Sequence, residues 1–299
     1  MTTKRGFTFI EVILVIVILG IVAGISSEAI VRVYKNYAQQ EAIHRASIKA
    51  ELAITQIANR MEYAISKTVV KRRSATDDSI SPIQIAPDEY EVLEWVGYDV
   101  DNFESYESNT NLKPGWSGFA DLEASSKTSI VTRGSNLSLL KSIYYYLSYK
   151  QARISNIAIF IPDNYDFNNI GYKNSSTAGI TFVRGTNNDE KIYLKNNLKY
   201  LKEQFKMAWS AYAVVPINCK KDIEGANLCQ LELRYNFRPW EHQDYNSARV
   251  NKALLTTNVT VFRTYATENR VQIKLCVKER YGINSSLFAV SCKERVVFQ

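Results

Sequence analysis

The sequence predicts an α+β protein: a long N-terminal α-helix, membrane-spanning in its first half, with an antiparallel β-sheet head packed on its second half. Three observations predict it. Residues 7–25 form an apolar run, and neither glycine nor proline occurs from residue 25 to residue 81. Beyond that, short runs rich in Val, Ile, Thr and aromatic residues alternate with polar turns. At 299 residues the chain holds one membrane segment and one or two globular units.

The first element is the apolar run. Residues 1–6 make a short basic head with Lys4, Arg5 and Gly6, and from Phe7 to Ile25 only Thr8 and Glu11 are polar. These 19 residues, at about 1.5 Å each, match the roughly 30 Å hydrocarbon core of a bilayer. Lys4 and Arg5 keep the N-terminus cytoplasmic by the positive-inside rule, so the remaining chain faces outward. A secretory signal would be cut at small residues after its apolar region. Ile25-Ser26-Ser27-Glu28-Ala29 offers only a poor version of that site, whereas Gly6 precedes the run.

Glu11 is out of place in such a run, because a carboxylate near bilayer depth costs about 2.5–3.5 kcal/mol and needs a partner. Two partners fit. Thr8-Phe9-Ile10-Glu11 has the capping-box pattern, in which Glu11 reaches back to a free N–H at the helix start. Alternatively, a cut between Gly6 and Phe7 would expose an α-amino group, largely protonated near neutral pH. That amine could pair with Glu11 of a neighbouring copy.

Lys4-Arg5-Gly6-Phe7-Thr8-Phe9-Ile10-Glu11-Val12 resembles the prepilin cleavage and methylation motif of type IV pilins and type II secretion pseudopilins. The motif covers about 20 of the 299 residues. The resemblance implies that a prepilin peptidase cuts after Gly6 and methylates Phe7, and that Glu11 guides docking into a filament. It implies an inner-membrane protein with a single span and a periplasmic head, which later joins a periplasmic pseudopilus or a surface pilus. Its partners would be other pilin or pseudopilin subunits, contacted through the N-terminal helix. Many major pilins carry a proline soon after the apolar run. This chain has none before Pro82, which leaves Gly20 and Gly24 as the weak points of the helix. The large head points to a minor subunit.

The helix continues past the membrane run. Ile30, Val33, Tyr37, Ile43, Ala46, Ala50, Ala53, Ile54, Ile57, Met61, Ala64 and Ile65 recur at steps of three and four. The expected helix spans Phe7 to Val69, about 95 Å if straight. The expected organisation is a leader over 1–6, a transmembrane or filament-core helix over 7–27, an amphipathic stalk over 28–70 and a strand-rich head over 71–299. The polar segment from Lys71 to Ser79 marks the stalk–head boundary.

In the head, 83–85 and 90–98 read as strands, 99–135 as loops anchored by Trp116 and Phe119, and 137–150 as a helix. The Tyr144-Tyr145-Tyr146 run fits a strand equally well. Strands follow at 156–161, at a hairpin of 180–183 and 191–194 around 185–188, and at 208–217, 228–237, 254–265, 271–278 and 287–298, with a turn at 266–269. Such a meander suggests one antiparallel sheet laid over the stalk.

Net charge is +7; loss of Lys4 and Arg5 leaves +5, of which +1 falls on the stalk and +4 on the head. Only Lys71-Arg72-Arg73 concentrates it, so a solvated basic surface is favoured over a DNA-binding one. The four cysteines, Cys219, Cys229, Cys276 and Cys292, contain no C-x-x-C pair, which argues against zinc. Outside the inner membrane disulfides are expected. Of three connectivities, Cys219–Cys229 with Cys276–Cys292 closes local loops; buried reduced thiols are the alternative.

No catalytic constellation is present. His44 and His242 sit in no triad or metal pattern, and no G-x-S-x-G, Walker or H-E-x-x-H motif occurs. No cofactor is expected. Calcium, which some related subunits bind, has two weak candidate loops, Asp166–Gly171 and Asp99–Glu104. The favoured reading is a non-enzymatic minor pilin or pseudopilin that primes or caps a filament. The alternative is a tip subunit that binds DNA, a secreted substrate or a surface; which machine it serves is not written in the head.

Overall fold

α1 (Phe9–Met61) is one uninterrupted helix of 53 residues, about 80 Å long at 1.5 Å per residue. In this computed structural model the described residues are 6, 8–74, 79–107, 112–150, 152–187, 189–267, 270–282 and 287–298. Outside them lie residues 1–5 and Phe7 of the leader and cut, 75–78 of the boundary segment, residue 188 of the hairpin turn and 268–269 of the turn expected at 266–269. The helix passes through Gly20 and Gly24 without a break. Its first buried residue is Ala42, and Ala46, Ala50, Ala53, Ile54, Ile57, Ala58 and Met61 continue one buried face. Small side chains at most of these positions let the helix axis lie close to the sheet beneath.

The helix stops at Met61, short of the expected Val69 and of the stalk boundary at 70. The sheet takes over the backbone there. Tyr63 O accepts from Tyr98 N–H at 2.9 Å and Ile65 N–H donates to Val96 O at 2.8 Å. The Thr68 hydroxyl donates to Ile65 O and accepts from Val96 N–H. Lys67 adopts a left-handed φ of 64°. Competition from a strand far along the chain, rather than a local glycine or proline, ends the helix.

The chain then forms β1 (Val70–Arg72), β2 (Ile80–Pro82), β3 (Val92–Gly97), α2 (Val100–Phe103), β4 (Ser129–Val131) and α3 (Leu137–Leu147). β5 (Ala158–Phe160), β6 (Thr181–Asn187), β7 (Lys191–Leu194) and β8 (Lys206–Ala208) follow. The long strands come last: β9 (Ser210–Lys221), β10 (Asn227–Phe237), β11 (Asn251–Thr267), β12 (Arg270–Arg280) and β13 (Phe288–Phe298). The strand expected at 83–85 is instead a turn, with Ile85 N–H donating to Pro82 O. The helix at 137–147 does form, capped by the Asn136 side chain.

Two antiparallel sheets replace the single one expected. The larger has eight strands in the order β13-β12-β11-β10-β9-β3-β1-β2; the smaller has five, in the order β4-β7-β6-β5-β8. Strand alternation assigns side chains to layers. On β3 and β9, Leu93, Trp95 and Val214 face α1, whereas Val92, Val96, Ala211, Ala213 and Val215 face a second core. That second core includes Phe160, Tyr172, Phe237 and Trp240. A third core packs α3 on the smaller sheet through Leu137, Leu140, Tyr144, Ile159, Val183 and Ile192.

Within the basic boundary segment Lys71 and Arg72 are buried, whereas Arg73 is exposed. β1 is fully buried, with Arg72 only 2% exposed. Arg72 Nε donates to Glu94 Oε2 on β3 at 2.5 Å, and its guanidinium lies 5.4 Å from the centre of the Tyr245 ring. Burial opposes the Arg72 charge, but Glu94 more than offsets it and holds the guanidinium protonated. Disulfides join Cys219 to Cys229 and Cys276 to Cys292. The first staples the β9–β10 hairpin and the second bridges directly opposed positions on β12 and β13.

Candidate functional site

The outer half of α1 is the most unusual surface of the molecule. No residue from 9 to 41 is buried, and the most apolar 18-residue window of the helix has mean hydropathy 2.8. By length and composition this helix can cross a membrane. A soluble monomer rarely exposes a contiguous apolar patch beyond a few hundred Å2, so this surface requires lipid or other apolar helices around it. Glu28 and Arg32 pair at 2.5 Å on the polar segment just beyond.

Within that surface Glu11 is only loosely tied. Its carboxylate accepts from Thr8 N–H at 3.5 Å, the long limit for a hydrogen bond, while its own N–H donates to Thr8 O at 3.1 Å. The capping-box arrangement therefore exists but leaves the carboxylate with acceptor capacity and an exposed position. Gly6 is exposed, and a Cβ added there would meet no described residue, while Phe7 lies outside the described residues.

Residues 1–27 match the family model of the prokaryotic N-terminal methylation motif. The chain carries the type IV pilin and pseudopilin signature. No curated protein and no solved structure matches the chain. The pilin-type motif supports a structural, pilin-like subunit that is processed by prepilin peptidase and associates with other pilin subunits, anchored through its apolar N-terminal helix.

Asp166 and Asp99, from the two candidate calcium loops, each make local hydrogen bonds. Asp166 Oδ1 accepts from Asn168 N–H at 2.8 Å, forming a tight turn. Gly171, with φ of 93°, is demanded by packing: a Cβ there would lie 2.6 Å from the backbone at Pro239 and Trp240. Asp99 is buried and caps α2, accepting from Asn102 Nδ2 at 2.7 Å and Asn102 N–H at 3.3 Å. Burial pushes its carboxyl up to about 7, although the Asn102 hydrogen bonds pull it down. Among the described residues no group of three or more His, Cys, Asp or Glu side chains is arranged for a metal. His44 is exposed on α1, and His242 is exposed after a short turn.

Sequence reasoning missed a cleft of about 610 Å3 at the head end of α1. The last turn of α1 and the residues after it supply Asn59, Arg60 and Tyr63. The sheet supplies Tyr212 and Tyr235, and the end of α3 supplies Tyr146 and Tyr149. Its residues are spread from 59 to 253 and share no local pattern. The only signal available in the sequence was a total of 19 tyrosines.

Proposed function

We propose that this chain is a minor pilin or pseudopilin, cut between Gly6 and Phe7, methylated on Phe7, and docked into a filament through Glu11. The observation that carries this reading is the methylation motif on an uncovered apolar helix. In this reading α1 first spans the inner membrane with the head in the periplasm, then moves into the filament core. There the amine of Phe7 on one subunit neutralises Glu11 on the next, and both escape the cost of an unpaired charge in an apolar core. The transmembrane part covers 7–27, and the head begins beyond the stalk near residue 71. The bulk of the head, placed on a single stalk, supports a subunit that primes or caps the filament rather than one that builds its shaft.

N-terminal sequencing of the mature protein is expected to begin at methylated Phe7; a start at Met1 or after Ser27 would refute the reading. Glu11→Ala is expected to leave cleavage intact and reduce recovery in sheared filaments at least tenfold. Normal incorporation of that variant would restrict Glu11 to its capping role.

A further inference from the structure

We propose that the tyrosine-lined cleft at the head end of α1 is a binding site for a neutral carbohydrate. The cleft is concave and, at about 610 Å3, falls within the roughly 300–1,000 Å3 typical of small-ligand sites. Its rings are held in place before any ligand arrives. Tyr212 stacks on buried Trp95 at 5.7 Å with 21° between the planes. Tyr98 stands edge-on to Tyr63 at 5.5 Å, and Trp209 packs against buried Tyr144 at 5.6 Å. Gly97 is the close-approach point: a Cβ there would meet the Tyr212 ring at 2.7 Å. Rings fixed in this way lose little freedom on binding.

The lip of the cleft is strained and open. Tyr149 and Lys150 both adopt left-handed φ values, 55° and 63°, which non-glycine residues seldom do. Strain of this kind concentrates at ligand clamps. Tyr146 is 69% exposed and Tyr149 59% exposed.

The polar groups narrow the ligand class. The side chains of Asn59 and Asp101 make no hydrogen bond to a described residue, and the Arg60 guanidinium donates only to Gln56 on its own helix. Among the lining residues one cation, Arg60, is matched by one anion, Asp101, so the wall itself carries no excess positive charge of the kind a nucleic-acid backbone requires. A proline-rich segment also favours aromatic grooves, but each of its prolines removes one N–H that the Asp101 carboxylate could accept from. A sugar satisfies both halves. Its C–H faces lie on tyrosine rings, and its hydroxyls both donate and accept, which suits Asp101, Arg60 and Asn59 together. The cleft sits at the opposite end of α1 from the membrane segment. If the filament reading holds, it therefore faces away from the cell.

Full-length protein in a sugar-free detergent is titrated with neutral tetrasaccharides of β-linked glucose, α-linked glucose and β-linked N-acetylglucosamine, followed by tryptophan emission. At least one is expected to saturate, with the same affinity at low and high salt. Tyr146→Ala should weaken it at least tenfold and Asp101→Asn several-fold, with thermal unfolding unchanged because both side chains are exposed. Absence of saturable binding overturns the proposal, as does wild-type affinity in both variants. So does a proline-rich decapeptide that binds where the sugars do not. A chain that binds sugar yet keeps Met1 sinks the filament reading alone.

Discussion

The two halves of α1 are both apolar, and they are apolar in different ways. From residue 9 to residue 25 the side chains are mostly Ile, Val and Leu on every face, none of them buried. From Ala42 to Met61 one face is buried, five of its eight buried residues being alanine, while Ile43, Ile48 and Leu52 stay exposed off that face. The inner half has its partner within the chain: β11, β12, β13 and β3. There small side chains win, because close approach to a sheet brings backbone and strand side chains into contact at packing density. Among the described residues the outer half has no packing partner, and bulk on all sides suits lipid or a bundle of like helices. An unpartnered apolar face thus reports on assembly, while an alanine stripe reports on the fold.

That contrast can be tested, beginning with the largest effect. Ile57 is fully buried on the inner half, and Ile57→Ala is expected to lower unfolding stability by about 2–5 kcal/mol. Leu19→Ala on the outer half should change it by less than about 0.5 kcal/mol in detergent. Equal losses in a denaturant titration would erase the distinction.

A second effect belongs to the head alone. Buried Asp99 keeps its proton in the folded state up to about 7, whereas the unfolded carboxyl releases it near 3.8. Between those values the folded state holds more protons, so stability falls as pH rises, by about 1.36 kcal/mol per pH unit at most. Asp99→Asn keeps the oxygen that caps α2 and should flatten the unfolding midpoint from pH 4 to 7. An unaltered slope would assign that pH dependence to other groups. The smallest effect is at the edge of the inner contact. Glu51 lies 3.5 Å from Arg295 and 3.8 Å from Lys293 on β13. Half-exposed pairs of this kind contribute little, so Glu51→Gln should cost under about 1 kcal/mol and nothing at 1 M salt. A larger loss would mean that charge as well as alanine packing seats the helix.

What could be read in the sequence follows from how local each feature is. Ala46, Ala50, Ala53, Ile54, Ile57 and Met61 announce their face by spacing alone, and the long strands from 208 onward alternate plainly. The close pairings of Cys219 with Cys229 and Cys276 with Cys292 join neighbours within hairpin-like units. The end of α1 was not legible, because the groups that compete for its backbone sit on β3, some thirty residues on. Nor was the burial of Lys71 and Arg72: a basic triplet reads as solvated until Glu94 is placed beside it. The second sheet escaped because β4, β5 and β8 have three residues each, too few to show a period. The cleft escaped for the same reason on a larger scale, since only the fold brings residues 63, 149 and 235 together.

The placement of α1 on the eight-stranded sheet also has a mechanical meaning. The helix meets β13 and β12 near Lys49 and Glu51, and the chain just past its end joins β3 at the Ala64–Gly97 bridge, so the contact runs from the β13 edge across to β3. A pull along its axis would therefore load several strands rather than one. The Cys276–Cys292 bond ties that edge strand covalently to its neighbour at one paired position, so β13 cannot part from β12 completely while the bond is intact.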